Sequence, residues 1–229
     1  MKRIVFLTGA GMSAESGISP FRDSDGLWEN YSVEEVCTHD AWVRQPEVLL
    51  DFYNMLRRKF KDCRPNEGHR LVASLEDRYE VQVITQNVDN LHEQAGSSHV
   101  IHLHGELMKC RVDGRDNGIH YPLDFDNPDI HMGDVDPNGV QLRPHIVFFG
   151  EDVPNLEKAA LTMTTADIVV VIGTSLNVYP AAGLLQYAPA HAPIWLIDPK
   201  PVQTPYRDVT QIMKGASEGM KELVGKLYF

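Results

Sequence analysis

The sequence predicts an α/β protein: a Rossmann-like parallel sheet with helices on both faces, plus a small inserted subdomain. Three observations predict it. Short β-branched runs recur along the chain. Most are continuously apolar rather than alternating, as strands covered on both faces of a parallel sheet are. Helical patterns lie between them, the mark of a doubly wound sheet.

Arg3–Thr8 reads as the first strand, and Val81–Thr85, His99–Leu103, His145–Phe149, Asp167–Ile172 and Pro193–Ile197 as the others. Apolar spacing predicts helices over Pro46–Lys61, Glu67–Asp77, Leu156–Thr165, Ala181–Tyr187 and Ser217–Lys226. Two segments interrupt the alternation. Residues 18–63 hold helices and loops with Pro20, Gly26 and Pro46, and residues 108–142 are rich in Gly and Pro. A connection this long is uncommon in a compact domain and reads as a functional loop or a small subdomain. The expected organisation is one domain over residues 1–229, with its sheet in about 1–17, 64–107 and 143–229.

Composition narrows the partners. The chain has 21 Lys and Arg against 32 Asp and Glu, a net charge of −11. That argues against a nucleic-acid or anionic-membrane binder, which needs a positive face, and suits a basic partner such as a Lys-bearing peptide. Residues 111–142 hold seven Asp, two Arg and no Lys or Glu, so −5 of the total lies there. Cys37, Cys63 and Cys110 are far apart, which excludes a visible disulfide framework or CxxC motif and points to free thiols in a reducing cytosol. The apolar run Ile4–Leu7 is too short for a signal peptide, and no stretch reaches the ~20 apolar residues of a membrane span. The expected location is cytoplasmic.

The chemistry gathers at strand ends. Thr8-Gly9-Ala10-Gly11-Met12-Ser13-Ala14-Glu15-Ser16-Gly17 follows the first strand. Glycines there either bring the backbone and a helix N-terminus close to a phosphate or simply pack tightly. The spacing is Gly-x-Gly-x5-Gly, not the dehydrogenase Gly-x-Gly-x-x-Gly. Thr85-Gln86-Asn87-Val88-Asp89-Asn90-Leu91-His92 follows the second strand and has the amides and carboxylate to hold a ribose and a carboxamide, or to cap a helix. In His102-Leu103-His104-Gly105-Glu106, His104 is a general-base candidate because imidazole titrates near neutral pH. Gly173-Thr174-Ser175 suits a second phosphate or ribose. All four follow buried strands, so they converge on one carboxyl-end crevice.

That joint pattern resembles the sirtuins, NAD-dependent protein lysine deacylases. The likeness is carried by Gly9-Ala10-Gly11-x-Ser13-x-Glu15-Ser16-Gly17-Ile18, Phe21-Arg22 and Gly26-Leu27-Trp28, then by the 85–92 and 102–107 motifs. Arg143-Pro144-His145-Ile146-Val147-Phe148-Phe149-Gly150-Glu151 and Gly173-Thr174-Ser175-Leu176 continue it in the family's order, over about residues 1–225. The resemblance implies NAD as co-substrate, acyl-lysine proteins or peptides as partners, and no nucleic acid or membrane. It implies Gly9, Ala10 and Gly11 around the diphosphate on their N–H groups, with Ser13, Glu15 and Trp28 in the same cofactor signature. Phe21 and Arg22 fall on a flexible loop over the nicotinamide ribose, Asn87 and Asp89 at the nicotinamide amide, and Gln86 at a ribose hydroxyl. Gly173, Thr174, Ser175, Asp198 and Ala216 fall toward adenosine; Asn is common in the family where Asp198 stands here. His104 is implied as general base: the acyl oxygen attacks C1′ and displaces nicotinamide, His104 takes a proton from a ribose hydroxyl, and O-acyl-ADP-ribose and free lysine result. Val147, Phe148, Phe149 and Gly150 match the substrate strand and adjoining loop, where a peptide adds by backbone hydrogen bonds. Protein mono-ADP-ribosyl transfer, or a non-catalytic NAD or ADP-ribose sensor, are the alternative uses of such a site.

Two departures from the family stand out. Sirtuins usually carry two CxxC pairs forming a zinc ribbon between the His-Gly and Arg-Pro motifs; this interval has only Cys110, so no zinc is expected. Succinyl-removing sirtuins carry Tyr-x-x-Arg on the helix that here reads Tyr53-Asn54-Met55-Leu56-Arg57. Tyr53 is present, Leu56 stands where the Arg would be, and Arg57 lies about 100° around the helix. A Tyr and a Leu favour neutral acyl groups, acetyl first, with longer fatty acyl left open.

Overall fold

The structure, a computed structural model, describes residues 1–18, 31–114, 116–176, 179–203 and 209–227. In chain order the strands are β1 (Arg3–Thr8), β2 (Glu80–Thr85), β3 (Val100–His102), β4 (Gly105–Val112), β5 (Tyr121–Pro122), β6 (Leu142–Ile146), β7 (Ile168–Ile172), β8 (Ile194–Ile197) and β9 (Thr210–Ile212). The α-helices are α1 (Val33–Val36), α2 (His39–Arg44), α3 (Pro46–Phe60), α4 (Glu67–Ser74), α5 (Leu91–Gln94), α6 (Leu156–Met163) and α7 (Ala216–Leu227). Short 3₁₀ segments fill Ala10–Met12, Ala14–Ser16, Leu75–Asp77 and Ala181–Tyr187.

Six strands form one sheet in the order β3-β2-β1-β7-β8-β9, every pair parallel. Side chains alternate across a strand, and the two faces build separate cores. Val5, Leu7, Val169 and Val171 pack with Met163 and Leu184 on one side, while Ile4, Phe6, Val170 and Ile172 pack with Val72 and Met220 on the other. All of these sheet residues are fully buried. This double covering is why the strands read as unbroken apolar runs.

The fourth run departs from expectation. Its strand is β6, Leu142–Ile146, starting before the apolar stretch, and it joins β4 and β5 in a separate antiparallel sheet rather than the parallel one. The physical reason is at Arg143 and His145, which are buried polar residues in that strand; the apolar Phe148 lies past its end. β4 and β9 carry too many polar residues to read as strands. The small sheet therefore spans Gly105 to Ile146, slightly wider than residues 108–142.

Helix α3 joins the two parts. Pro46 opens it, Glu47 sits in its first turn and Arg57, Arg58 and Lys59 in its last, all matched to the helix dipole. Its apolar face, Leu49, Phe52, Tyr53 and Leu56, packs with Leu107, Ile146 and Phe148 in a third core. No helix among the described residues is long and apolar enough to cross a membrane.

Candidate active site

The strand order reverses direction between β1 and β7, so the crevice of this sheet opens there, beyond the carboxyl ends. The two loops at that point interlock. A Cβ on Gly11 would lie 2.6 Å from the Gly173 Cα, and one on Gly9 2.8 Å from the Gly173 carbonyl oxygen. Gly173 itself has φ +62°. The glycines are thus required by loop-on-loop packing. Gly9 N–H donates to the Ile172 carbonyl at 3.0 Å and Gly11 N–H to that of Gly173 at 2.9 Å. Of the three amides that the resemblance assigns to a diphosphate, those of Gly9 and Gly11 thus donate within the fold.

A polar mesh lines the same end. Gln86 follows β2, its N–H bonded to the Thr8 carbonyl and its side-chain amide to Thr174 Oγ1 at 3.1 Å. Asn87 Nδ2 donates to the Gly9 carbonyl at 3.0 Å and to Ser13 Oγ at 3.1 Å. Ser13 Oγ in turn donates to Asp89 Oδ2 at 2.9 Å, and Asp89 Oδ1 accepts the Leu91 N–H. Burial pushes the Asp89 carboxyl upward, against these bonds. Gln86, Asn87, Asp89, Ser13 and Thr174 are therefore one connected group.

His104 reaches it through the backbone. Its Nδ1 lies 3.0 Å from the Gln86 carbonyl oxygen. A carbonyl only accepts, so Nδ1 carries the proton and Nε2 keeps its lone pair. Burial lowers the His104 pKa against that hydrogen bond, which favours the neutral ring.

Glu15, Asp198 and Ala216 lie at other edges. Glu15 Oε1 accepts the Ser217 N–H at 3.1 Å, which places a carboxylate at the N-terminus of α7. Asp198 Oδ1 accepts the Lys200 N–H at 2.8 Å, and Ala216 is buried. Ser175 follows Thr174 in the β7 loop. Phe21, Arg22 and Trp28 lie outside the described residues.

On the other flank, Tyr53 and Leu56 are buried with Phe148 and Cys37. The Tyr53 hydroxyl donates to Cys37 Sγ at 3.8 Å, and its ring is 5.9 Å from that of Phe148. Arg57 turns to the small sheet, its Nε donating to the Leu107 carbonyl at 2.8 Å and its Nη1 to Asn54 Oδ1 at 2.6 Å. In the segment after β6, the N–H groups of Val147, Phe148 and Phe149 already donate to His104 O, Glu151 Oε2 and Cys37 O. The Phe148 carbonyl also accepts the Glu151 N–H at 3.0 Å. Phe149 is exposed, and Gly150 holds φ +92° at the turn. Sequence reasoning overlooked what holds this turn: Arg143 grips both Glu151 oxygens, at 2.7 and 3.0 Å. It also gave no role to His102 or Glu93; two histidines two residues apart at a strand end were the available signal.

Four thiolates for a zinc ribbon cannot be assembled: Cys37, Cys63 and Cys110 are free, and burial pushes Cys37 up to about 11 and Cys110 upward as well. Asp116, His120 and His145 do approach one another in the insert. The two imidazoles stack with centroids 3.7 Å apart, and His120 Nε2 lies 2.8 Å from Asp116 Oδ1.

Comparison with known proteins agrees with this geometry. The family model described as the Sir2 family matches residues 9–180. A Bacteroides thetaiotaomicron protein named NAD-dependent protein deacylase is 54% identical over 226 residues, 97% of this chain and 97% of its own length. A solved Sir2 homologue–NAD complex is similar with TM-score 0.88 and 38% identity, covering 99% of this chain and 90% of that one. A Sir2 variant with a deacetylated p53 peptide and 3′-O-acetyl ADP ribose gives TM-score 0.78 at 30% identity, over 97% and 92%.

Proposed function

The chain belongs to the Sir2 family and is an NAD-dependent protein deacylase, and from that premise we propose that His104 is its general base and the Gln86–Asn87–Asp89 mesh its nicotinamide-ribose site. The observation that carries the proposal is the contact of His104 with the Gln86 carbonyl, which holds Nδ1–H and so leaves Nε2 of the neutral ring as the basic nitrogen. NAD supplies the electrophilic C1′ and the ribose hydroxyl that receives the acyl group. With NAD bound, the acyl oxygen would displace nicotinamide at C1′ and His104 Nε2 would take the proton from that hydroxyl, so that its oxygen adds to the acyl carbon; the lysine amine would leave with a proton and one water would complete O-acyl-ADP-ribose. Asn87 and Asp89 present an amide and a carboxylate to the nicotinamide carboxamide, tied together by Ser13. The donor set suits NAD: Ala10 N–H and Ser175 for phosphate or ribose, Gly173–Thr174 at the loop they join, and Glu15, Asp198 and Ala216 around the adenosine end. Phe21, Arg22 and Trp28 belong to the same signature.

The insert, in this reading, is a zinc-free subdomain, and the acyl-lysine lies along Val147–Gly150 with its acyl chain toward Tyr53 and Leu56. The acyl pocket prefers neutral groups. Arg143 and Arg57 act electrostatically on Tyr53, and both are committed elsewhere, Arg57 to Leu107 and Asn54, Arg143 to Asp113 and Glu151. A net charge of −11 favours a basic peptide over nucleic acid or an anionic membrane, and a cytoplasmic location is consistent with the free thiols. The test is mass spectrometry of reactions with NAD and acetyl-, myristoyl- or succinyl-lysine peptides. Nicotinamide and O-acetyl-ADP-ribose are expected. Succinyl as best substrate would overturn the acyl assignment, and ADP-ribosylated peptide as the sole product would favour ribosyl transfer.

A further inference from the structure

We propose that His102 is a positioning residue for this site: as an imidazolium paired with Glu93 it fixes the main chain of Asn87, and so the amide that meets nicotinamide. The inference rests on the assignment of Asn87 to nicotinamide made above. His102 is 7% exposed, at the end of β3. Its Nδ1 lies 3.0 Å from the Asn87 carbonyl oxygen and its Nε2 2.8 Å from Glu93 Oε1. Carbonyl and carboxylate oxygens only accept. Two acceptors on the two ring nitrogens require two N–H groups, which only the imidazolium has. A neutral ring would set a lone pair against one of the oxygens.

The neighbouring framework is rigid. The His102 carbonyl accepts from Asn155 Nδ2 at 2.9 Å, and His102 pairs with Thr85 across the sheet. Thr85 Oγ1 accepts the Asn87 N–H at 3.1 Å. Asn87 is thus held at its amide by Thr85, at its carbonyl by His102 and at its side chain by Gly9 and Ser13. His104 holds the preceding carbonyl, Gln86. The two histidines grip consecutive carbonyls, and the second nitrogen of His102 meets a carboxylate.

The surrounding charges set the pH range. Burial works against a charged ring; the Glu93 hydrogen bond and charge, Glu106 and the Asn87 carbonyl outweigh it, and the His102 pKa is raised. Asp89 is within electrostatic reach and adds to this, while His92 opposes it. Lys109, bonded to Glu106 at 2.6 Å, offsets part of the latter's charge. The grip is complete below the ordinary histidine range and is lost as pH rises through the raised value.

The test combines nitrogen NMR of ¹⁵N-histidine-labelled unliganded enzyme with pH profiles of KM for NAD, in the wild type, Glu93→Gln and His102→Gln. Both His102 nitrogens should be protonated at pH 7, and Glu93→Gln should move that titration to lower pH. At pH 7 the Glu93→Gln enzyme should show KM for NAD raised about tenfold with kcat little changed, the gap closing toward pH 6. A singly protonated His102 in the wild type at pH 7, or a KM profile unmoved by Glu93→Gln, overturns the proposal. Asn87→Ala with unchanged KM and unchanged inhibition by nicotinamide would instead overturn the assignment of Asn87, and the inference with it.

Discussion

In the six-stranded sheet, β1 pairs along its whole length on one side with β2 and from Ile4 to Thr8 on the other with β7. In the insert, β5 touches β4 only at Lys109 and Cys110, and long stretches have no strand partner. There, side chains do what neighbouring strands do in the core. Asp136 Oδ1 accepts the N–H groups of Asn138 and Val140 at 2.9 and 2.8 Å, and Asp134 Oδ2 that of His131 at 2.7 Å. Gln141 accepts from Gly133 N–H and donates to the His131 carbonyl. Asp116 and Asp124 close turns at Gly118 and Asp126. Acceptor-bearing short side chains are what turns require. The insert's charge of −5 is therefore largely a by-product of backbone satisfaction.

The contrast can be broken first at the chemistry, which the core carries. His104→Tyr should lower deacylation by at least about 100-fold, a general base being worth about 10²–10⁴-fold, while NAD binding by calorimetry persists. Surviving deacylation would mean that another group is the base. The insert should yield next at its polar staple to α3. Asn54 donates to the Ile130 carbonyl at 2.9 Å, accepts the Ile130 N–H at 3.0 Å and receives Arg57. Asn54→Ala leaves these buried groups unpaired and should cost about 2–4 kcal/mol. Hydrogen exchange should quicken over 116–142 while β1 and β7 stay protected; uniform quickening would deny the insert its separate support.

Acid tests both regions. His69 is wholly buried and its pKa is lowered by burial to about 4, His92 beside it is lowered well below the ordinary value, and His145 under the insert is lowered to about 4. Each binds a proton more readily unfolded, near 6.5, than folded. Stability is complete above that value and falls as pH drops from 6.5 toward 4, with a slope of about 1.4 kcal/mol per pH unit for each group. Urea unfolding at pH 7.5, 6 and 5 measures it, and His69→Gln should reduce the slope by one group's share. Equal stability at pH 7.5 and 5 would show that these rings titrate normally. Asp136→Ala should loosen the 136–140 turn by about 1–2 kcal/mol, read as faster exchange at Val140. The smallest effect should come from a chelator: prolonged EDTA should leave Tm unchanged, and a fall would mean that the insert holds a metal after all.

The core was legible because sheet and sequence obey one rule there. β1, β7 and β8 are buried on both faces, so apolar runs mark them to within a residue or two. β4 was not legible: Glu106, Lys109 and Arg111 interrupt its apolar pattern, and it begins at Gly105, whose φ is +86°. β6 was shifted for a related reason, its buried Arg143 being paired with Asp113 and Glu151 rather than with apolar neighbours. Within the candidate site, the motifs around Gly9, Asn87, His104 and Thr174 pointed to one strand-end crevice. Their internal wiring did not show. Packing of Gly11 on Gly173 and Ser13 bridging Asn87 to Asp89 depend on residues remote in sequence meeting at the strand ends.

The bond from Ser217 to Glu15 ties α7 to the glycine loop, across nearly the whole chain. β1 likewise takes its second partner, β7, from the far half. A nascent chain therefore makes the glycine loop first and its braces in turn: Asn87 and Asp89, then the Gly173 loop that packs on it, and last the Ser217 N–H that meets Glu15.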